Sequence, residues 1–278
     1  MAIVGMGLPD RYAVIGHPVA HSLSPLVHSC FAEQLDQIVR YTRIDATPEA
    51  FAATARDFFR DRGHGLNVTL PHKAAALELC DTISDRARLA GAVNTLTRNA
   101  DGSIAGDNTD GVGLVRDLTA NLGLELNGRR ILLLGAGGAA RGILAPLLAE
   151  KPAHLAICSR TPAKPHELAR SYLKLGRVKG CTYRVLPGKR YDLIINATSA
   201  SLEGKLPPLP DDLAAGAVCY DMYYCDHDTP FTRWAKEHGA RSAHLGFGML
   251  VEQAAESFYL WRGLRPQTYP VIALLRHA

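Results

Sequence analysis

Lys73, in the stretch GLNVTLPHKAA (residues 65–75), and Asp110, in GDNTDG (residues 106–111), are the side chains best suited to move a proton. The first stretch reads as a short strand that breaks at Pro71 and hands over to a helix with the lysine in its first turn. A cation there opposes the partial positive charge of a helix N-terminus, so a partner is expected to hold it. Asp110 begins a helix, where negative charge is favoured. An ammonium and a carboxylate together can grip a hydroxyl and relay its proton. A lysine free in water is charged at neutral pH, and a neighbouring carboxylate strengthens that form, against what a base needs. The pair is therefore read as sharing one proton, with no microscopic assignment. Ser22 and Ser24 in HSLSP and Asn94 in GAVNT are, taken singly, ordinary caps and turn residues. Taken together, hydroxyl and amide groups at strand ends and loops suit a polyhydroxylated ligand. His17, His21 and His72 lack metal-ligand spacing and an acidic partner evident in sequence. They are read as structural or surface groups, and no metal is expected.

A second chemical signature lies further along. Gly135, Gly137 and Ala140 follow the strand-like RILLL and open a helix, matching G-x-G-x-x-G/A in the strand-turn-helix setting that the physics requires. The first glycine permits the tight turn, and the second lets backbone N–H groups approach a pyrophosphate at the helix N-terminus. A bare βα turn would not need all three in register, so dinucleotide binding is expected. The next strand ends CSRT, with Ser159, Arg160 and Thr161, and Lys164 follows. A carboxylate there would bind the ribose hydroxyls of NAD; cations in its place favour the 2′-phosphate of NADP. Arg160 can also lie flat against adenine. A nicotinamide enzyme acting on an alcohol needs a group to handle the hydroxyl proton, and Lys73 is the candidate.

These groups need elements to position them. YAVIG, YTRID and LNVTL read as strands, each followed by a helical stretch: SPLVHSCFAEQL, PEAFAATARDFF and HKAAALELC. That rhythm predicts a largely parallel sheet covered by helices. Ser24 and Pro25 are expected as N-cap and first helical residue, and Gly63 as a helix stop. NTLTRNADGSIAG reads as a hairpin turning at Asp101-Gly102, and TDGVGLVRDLTANLG as a helix. A second βα series runs from RRILLLGAGGAARG through HLAICSR and YDLIINATS to AVCYDMYY. The closing GMLVEQAAESFYLWRG and YPVIALLRHA are helical with no further strand to cover, so they are expected to return to the first domain.

Composition bounds the rest. The chain has 278 residues, 47% hydrophobic and 21% charged, which fits a soluble α/β protein of two domains. A surplus of +4 is too small to imply nucleic acid but suits a small anionic ligand. The six cysteines form no C-x-x-C pair, so a reduced cytoplasm is the expected compartment. The opening MAIVGMGLPDRY has no basic leader, and ILLLGAGGAA is too short to span a membrane, so neither processing nor a membrane partner is expected.

The set HSLSP, NVTLPHK, AGAVNT, GDNTDG, GAGGAARG, INATS, YDMYY and GFGMLVEQAA resembles the shikimate dehydrogenase family, in order and over nearly the whole chain. The resemblance implies reversible reduction of 3-dehydroshikimate to shikimate with NADPH, on the way to aromatic amino acids. It implies an N-terminal α/β substrate domain, residues 1–110 completed by helices in 247–278, and a Rossmann-like doubly wound dinucleotide domain, residues 111–246. By resemblance Lys73 is the catalytic lysine, Ser22 and Ser24 bind the substrate carboxylate, and Thr69, Asn94 and Asp110 meet its hydroxyls. Tyr224 and Gln253 complete the substrate pocket, while Met222 and Gly246 lie near the nicotinamide. Gly135, Ala136, Gly137, Gly138 and Ala139 form the pyrophosphate loop, Ser159, Arg160, Thr161 and Lys164 the adenosine-phosphate segment, and Asp85 matches an acidic position associated with the cofactor. Ser159 stands where Asn is common, and Leu23 where some members have Lys. Relatives that also take quinate tend to carry an acid at the end of the second strand. The alternatives are a quinate/shikimate dehydrogenase of broader specificity, or a catalytically silent dinucleotide-binding regulator. The chain is expected to act as a monomer or homodimer.

Overall fold

The computed structural model describes residues 8–277, so the expectation about the opening MAIVGMG lies outside the described residues. The chain divides into two units, 8–109 with 254–271 and 110–253 with 272–277.

The first unit is built from β1 (Asp10–Gly16), α1 (Ser24–Gln34), β2 (Val39–Asp45), α2 (Phe51–Arg60), β3 (Gly63–Val68), β4 (Thr82–Ile83), α3 (Asp85–Ala90), β5 (Thr95–Arg98) and β6 (Ile104–Asp107). Its six strands are ordered β2-β1-β3-β5-β6-β4. The strands β2, β1 and β3 run parallel, while β5 is antiparallel to both β3 and β6. That reversal is the expected hairpin, with Gly102 taking φ 89° at its turn. One face of the sheet is covered by α2, whose Phe51, Ala55, Phe58 and Phe59 recur at helical spacing and pack with Leu66, Val68 and Leu96. Opposite lies α1, with Phe31 edge-on to Phe258 at 5.9 Å.

Three local expectations differ from the structure. HKAAALELC is no α-helix: Lys73 lies in a turn, followed by a short 3₁₀ helix, Ala75–Leu79. The turn is tied by His72 N–H to Thr69 O (3.0 Å) and Ala76 N–H to His72 O (2.9 Å), and too few residues precede β4 to repay helix nucleation. The dipole argument for a partner of Lys73 lapses with that helix. The stop after α2 falls before Gly63, with Arg62 taking φ 59°. Ser24 is itself the first residue of α1, and the cap position falls to Leu23, which has no polar side chain to bond, while the Ser24 hydroxyl accepts from Ser22 Oγ.

The second unit contains α4 (Asp110–Arg116), β7 (Arg130–Leu134), α5 (Gly138–Ala149), β8 (His154–Cys158), α6 (Ala163–Tyr172), β9 (Val178–Cys181), β10 (Leu193–Asn196), β11 (Val218–Asp221), α7 (Pro230–Glu237) and β12 (Ser242–Leu245). All its strands are parallel, in the order β12-β11-β10-β7-β8-β9, a doubly wound sheet whose winding reverses between β7 and β10. Two of these strands, β9 and β12, were not legible beforehand: VKGC and SAHL are short edge strands with little apolar character. Ile131 and Leu133 point into one core layer with Leu144 and Leu147, and Leu132 and Leu134 into the other with Phe231 and Trp234. The helix expected over TDGVGLVRDLTANLG continues α4 only as a single wider turn, Asp117–Asn121. There the buried Asp117 accepts hydrogen bonds from Tyr220 Oη (2.6 Å) and Asn121 Nδ2 (3.0 Å).

The chain closes with α8 (Phe247–Arg262) and α9 (Tyr269–His277). The boundary between units falls within each, after Gln253 and after Val271, so the return to the first unit begins later than residue 247 and leaves 272–277 with the second. Within the first unit, Trp261 stacks on Tyr12 at 4.7 Å and its indole N–H donates to Leu96 O (3.1 Å). Among the described residues no helix is long and apolar enough to cross a membrane.

Candidate active site

In the first unit the candidate residues gather at one edge of the sheet. Gly16 and Val68 are the carboxyl ends of the parallel strands β1 and β3, and antiparallel β5 starts beside the latter, with Asn67 opposite Thr95. The loop after β1 carries Ser22 and Ser24, the loop after β3 carries Thr69 and Lys73, and Asn94 enters β5. Open α/β sheets bind ligands outside the carboxyl ends of their strands. The loops are fastened to one another through His17 N–H to Leu70 O (3.0 Å) and Val93 N–H to Lys73 O (2.8 Å). The buried hydroxyls of Ser22 and Ser24 lie 3.2 Å apart, and Arg43 on β2 donates from Nε (3.0 Å) and Nη2 (2.7 Å) to the carbonyl of Ser22.

Asn94 is buried behind this edge. Its Oδ1 accepts from Thr109 N–H (2.8 Å) and its Nδ2 donates to Thr109 Oγ1 (2.9 Å). Asn67, also buried, receives the Tyr41 hydroxyl at 2.7 Å and donates to Ser257 Oγ (3.0 Å), Asn94 O (3.3 Å) and Thr95 Oγ1 (3.3 Å). This network fixes the start of β5, and with it Asn94. His72 is buried, stacked on Phe51 at 4.4 Å and bonded to Ala46 O at 2.7 Å, a structural residue as expected. His17 does have an acidic partner, which the sequence concealed: Nδ1 lies 2.6 Å from Asp45 Oδ1 at the end of β2. The hydrogen bond from His17 holds the Asp45 carboxyl below its ordinary range. Asp85 is the exposed first residue of α3, whose cap is Ser84 Oγ accepting from Ala87 N–H (3.2 Å).

In the second unit the candidate residues also sit at carboxyl strand ends. Gly135 follows β7 with φ 108°, and a Cβ there would stand 2.8 Å from Ala197 O, so only glycine suits this turn. Gly137, Gly138 and Ala139 are exposed at the start of α5, and a Cβ added at either glycine meets nothing within 4 Å. That open space over a helix N-terminus fits a pyrophosphate. After β8, Ser159 is buried, with Oγ donating to Thr161 O (3.0 Å), while Arg160, Thr161 and Lys164 are exposed. A donor set with two cations and no carboxylate fits a 2′-phosphate. Met222 follows β11, and its carbonyl oxygen crowds the space that a Cβ of Gly246 would occupy, which brings the ends of β11 and β12 together. Tyr224 packs on Phe247, ring centroids 5.6 Å apart.

Asp110 is the buried first residue of α4. One helical turn on, Gly113 lies against the backbone of Gln253 on α8, its virtual Cβ 2.6 Å from the Gln253 nitrogen. Asp110 and Gln253 thus sit on adjoining helices, with Gln253 Nε2 donating to Leu250 O (2.9 Å). The INATS segment contains a group whose importance was not read from sequence. Asn196 Oδ1 accepts from Thr198 Oγ1 (2.7 Å), and its Nδ2 donates to Ser201 Oγ (3.1 Å) and Asp221 Oδ1 (3.2 Å). Burial raises the Asp221 carboxyl above its ordinary range, opposed by hydrogen bonds from Ser201 and Thr229. These bonds shape the loops beside Gly135 and Met222. An Asn ending an apolar strand was the available signal.

A doubly wound sheet with a glycine turn at its first strand and cations at its second, in one chain with a polar cluster at the edge of a second α/β sheet, defines a dinucleotide-dependent oxidoreductase fold. Three family models match: the shikimate dehydrogenase substrate binding domain over residues 14–96, shikimate/quinate 5-dehydrogenase over 117–203, and the shikimate 5′-dehydrogenase C-terminal domain over 246–276. The shikimate dehydrogenase (NADP(+)) of Methylococcus capsulatus is 57% identical, covering 97% of each chain. Among solved structures, an Ael1 enzyme from Pseudomonas putida superposes with a TM-score of 0.91 at 47% identity, covering 96% of this chain and 98% of that one. The shikimate 5-dehydrogenase of Thermus thermophilus in complex with NADP(H) and shikimate gives a TM-score of 0.84 at 35% identity, covering 96% and 99%. The chain belongs to the shikimate dehydrogenase family.

Proposed function

We propose that this chain is an NADP-dependent shikimate dehydrogenase, interconverting 3-dehydroshikimate and shikimate in aromatic amino acid biosynthesis. The observation that carries the reading is the gathering of Ser22, Ser24, Thr69, Lys73 and Asn94 at one carboxyl sheet edge in a chain with an NADP-type dinucleotide turn. NADP, when bound, supplies or accepts the hydride; the remaining work belongs to the chain. Gly135 to Ala139 hold the pyrophosphate through backbone N–H groups, and Ser159, Arg160, Thr161 and Lys164 hold the adenosine phosphate. Met222 and Gly246 border the nicotinamide, and Asp85 serves the cofactor. Ser22 and Ser24 bind the substrate carboxylate. Thr69, Asn94, Tyr224 and Gln253 orient the ring through its hydroxyls. Lys73 and Asp110 hold one proton at the reacting oxygen, giving it to the carbonyl in reduction and taking it from the alcohol in oxidation.

The enzyme works on this small molecule in the cytoplasm as a monomer or homodimer, without a nucleic-acid or membrane partner. The small net charge of +4 supports a small anionic substrate over nucleic acid. The test is reduction of NADP followed spectrophotometrically with shikimate, then with quinate, then with NAD replacing NADP. Rapid turnover is expected only with shikimate and NADP. Comparable rates with quinate would make the enzyme a broader quinate/shikimate dehydrogenase, and dinucleotide binding without any turnover would make it a regulator.

A further inference from the structure

Cys158 and Cys181 are the last residues of β8 and β9 and are register partners on these parallel neighbours. Register partners project to the same face, and both belong to the same core layer. Neighbouring strands run about 4.8 Å apart, inside the Cα separation of roughly 4.4–6.8 Å that a disulfide needs. The proximity of the two thiols raises the pKa of Cys158 and lowers that of Cys181. Lys179 on the same strand further favours negative charge on Cys181, which retains 8% exposure while Cys158 has none.

The backbones of this pair hold the proposed cofactor segments. The carbonyl of Cys158 accepts from Gly135 N–H at 2.7 Å, anchoring the pyrophosphate turn, and the carbonyl of Cys181 accepts from Ser159 N–H at 3.4 Å, at the start of the adenosine-phosphate segment. Arg160 follows immediately. A change in the spacing of the two cysteines therefore acts on both ends of the dinucleotide site.

We propose that Cys158 and Cys181 are a peroxide-oxidisable dithiol whose disulfide weakens NADP binding; the proposal rests on the reading of residues 135–139 and 159–164 as the cofactor site. The Cys181 thiolate attacks the O–O bond of hydrogen peroxide, forming an S–O bond and releasing water once a proton is taken up. The Cys158 sulfur then attacks that sulfenic acid; the S–S bond forms, the S–O bond breaks, and a second water leaves. Two thiols are oxidised and one peroxide is reduced.

The test treats the purified full chain with hydrogen peroxide, then alkylates and maps its peptides. A Cys158–Cys181 link is expected, lighter by two hydrogens, with loss of two of the six free thiols. The KM for NADP should rise several-fold, with KM for shikimate unchanged, and dithiothreitol should reverse the change. Cys158→Ala and Cys181→Ala, tested separately and each compared with its own untreated KM for NADP, should lose the peroxide response. Peptide mapping of the unmodified chain needs no variant, so a poorly folded variant leaves the test intact. Absence of the link under peroxide would overturn the proposal, and so would a link that leaves NADP affinity unchanged. The second outcome would not touch the cofactor reading, which substitutions at Arg160 test independently.

Discussion

The two sheets offer their ligand edges in different ways. In the second unit every strand runs the same direction, so each carboxyl end faces one edge, and the proposed cofactor residues follow their strands within a few positions. In the first unit β5 runs against β3, and the edge is completed by a residue entering a strand, Asn94, alongside residues leaving strands. The supporting matter differs too. Behind Gly135 lies an apolar core of Leu132 to Leu134, whereas behind Asn94 lie Asn67, Thr95, Thr109 and Ser257, all buried and hydrogen-bonded to one another. Backbone N–H groups at a helix start need only a rigid scaffold. Side chains that must each meet a particular hydroxyl need their own positions fixed, and a fully satisfied polar network does that.

The largest effect separating the two edges is expected at Lys73. Lys73→Ala should lower kcat by roughly 10²–10⁴-fold, the usual contribution of a positioned acid–base group, and leave the dissociation constant for NADP unchanged. Steady-state kinetics with shikimate and a fluorescence titration with NADPH check both halves. Turnover within a few-fold of the parent would remove the proposed chemistry. Next is Arg160→Asp, which would replace the proposed charge-assisted hydrogen bond to phosphate, worth about 1.5–3 kcal/mol, with a repulsion. NADP affinity should fall at least tenfold and NAD use should improve, with KM for shikimate unmoved. Equal loss for both dinucleotides would place Arg160 outside the cofactor site.

A smaller contrast concerns the supports. Asn67→Ala strips partners from Tyr41 and Ser257 and should cost about 1–3 kcal/mol. Because the Asn67 amide bonds the carbonyl of Asn94, the variant should raise KM for shikimate and spare KM for NADP. Gly246→Ala forces a methyl against the Met222 carbonyl and should cost about 1–3 kcal/mol by overpacking, with the opposite KM pattern. Urea denaturation and paired KM measurements test both, and a shared KM pattern would break the distinction between the edges.

The legibility of the two halves follows from the same contrast. The dinucleotide turn was readable because strand, glycines and helix are contiguous, and Gly135 is required by a local backbone angle. The residues of the first edge were visible as motifs, but their supports were not: Asn67 and Ser257 are far apart in sequence, and Asn67 looks like any polar residue within a strand. His17 and Asp45 met only once β1 and β2 were aligned. The helix expected at Lys73 failed because apolar spacing in HKAAALELC carries no information about how soon the chain must reach β4. The strands β9 and β12 escaped notice because edge strands need not be apolar.

Titration offers the gentlest separation. In the first unit His28 is buried, stacked on Tyr41 at 4.2 Å with an interplanar angle of 7°, and its Nε2 has no hydrogen-bond partner among the described residues. Burial lowers its pKa to about 3 from an ordinary value of 6.5, with the neighbouring Asn67 side chain opposing the shift. Between these values the unfolded chain binds more protons than the native one, so stability rises with pH through this window and is lost on acidification. The slope from this one group is about 1.4 kcal/mol per pH unit at its steepest. In the second unit Asp117 and Asp221 respond with the opposite sign. Burial raises both carboxyls above their ordinary range, so the stability they contribute is present in acid and lost as pH rises through the raised native values. His28→Phe should therefore flatten the acid side of the stability profile between pH 6.5 and 4 without altering the carboxylate contribution. Urea midpoints for the parent and the variant, measured across that range, decide it: curves that stay parallel would mean that His28 takes up no proton on unfolding.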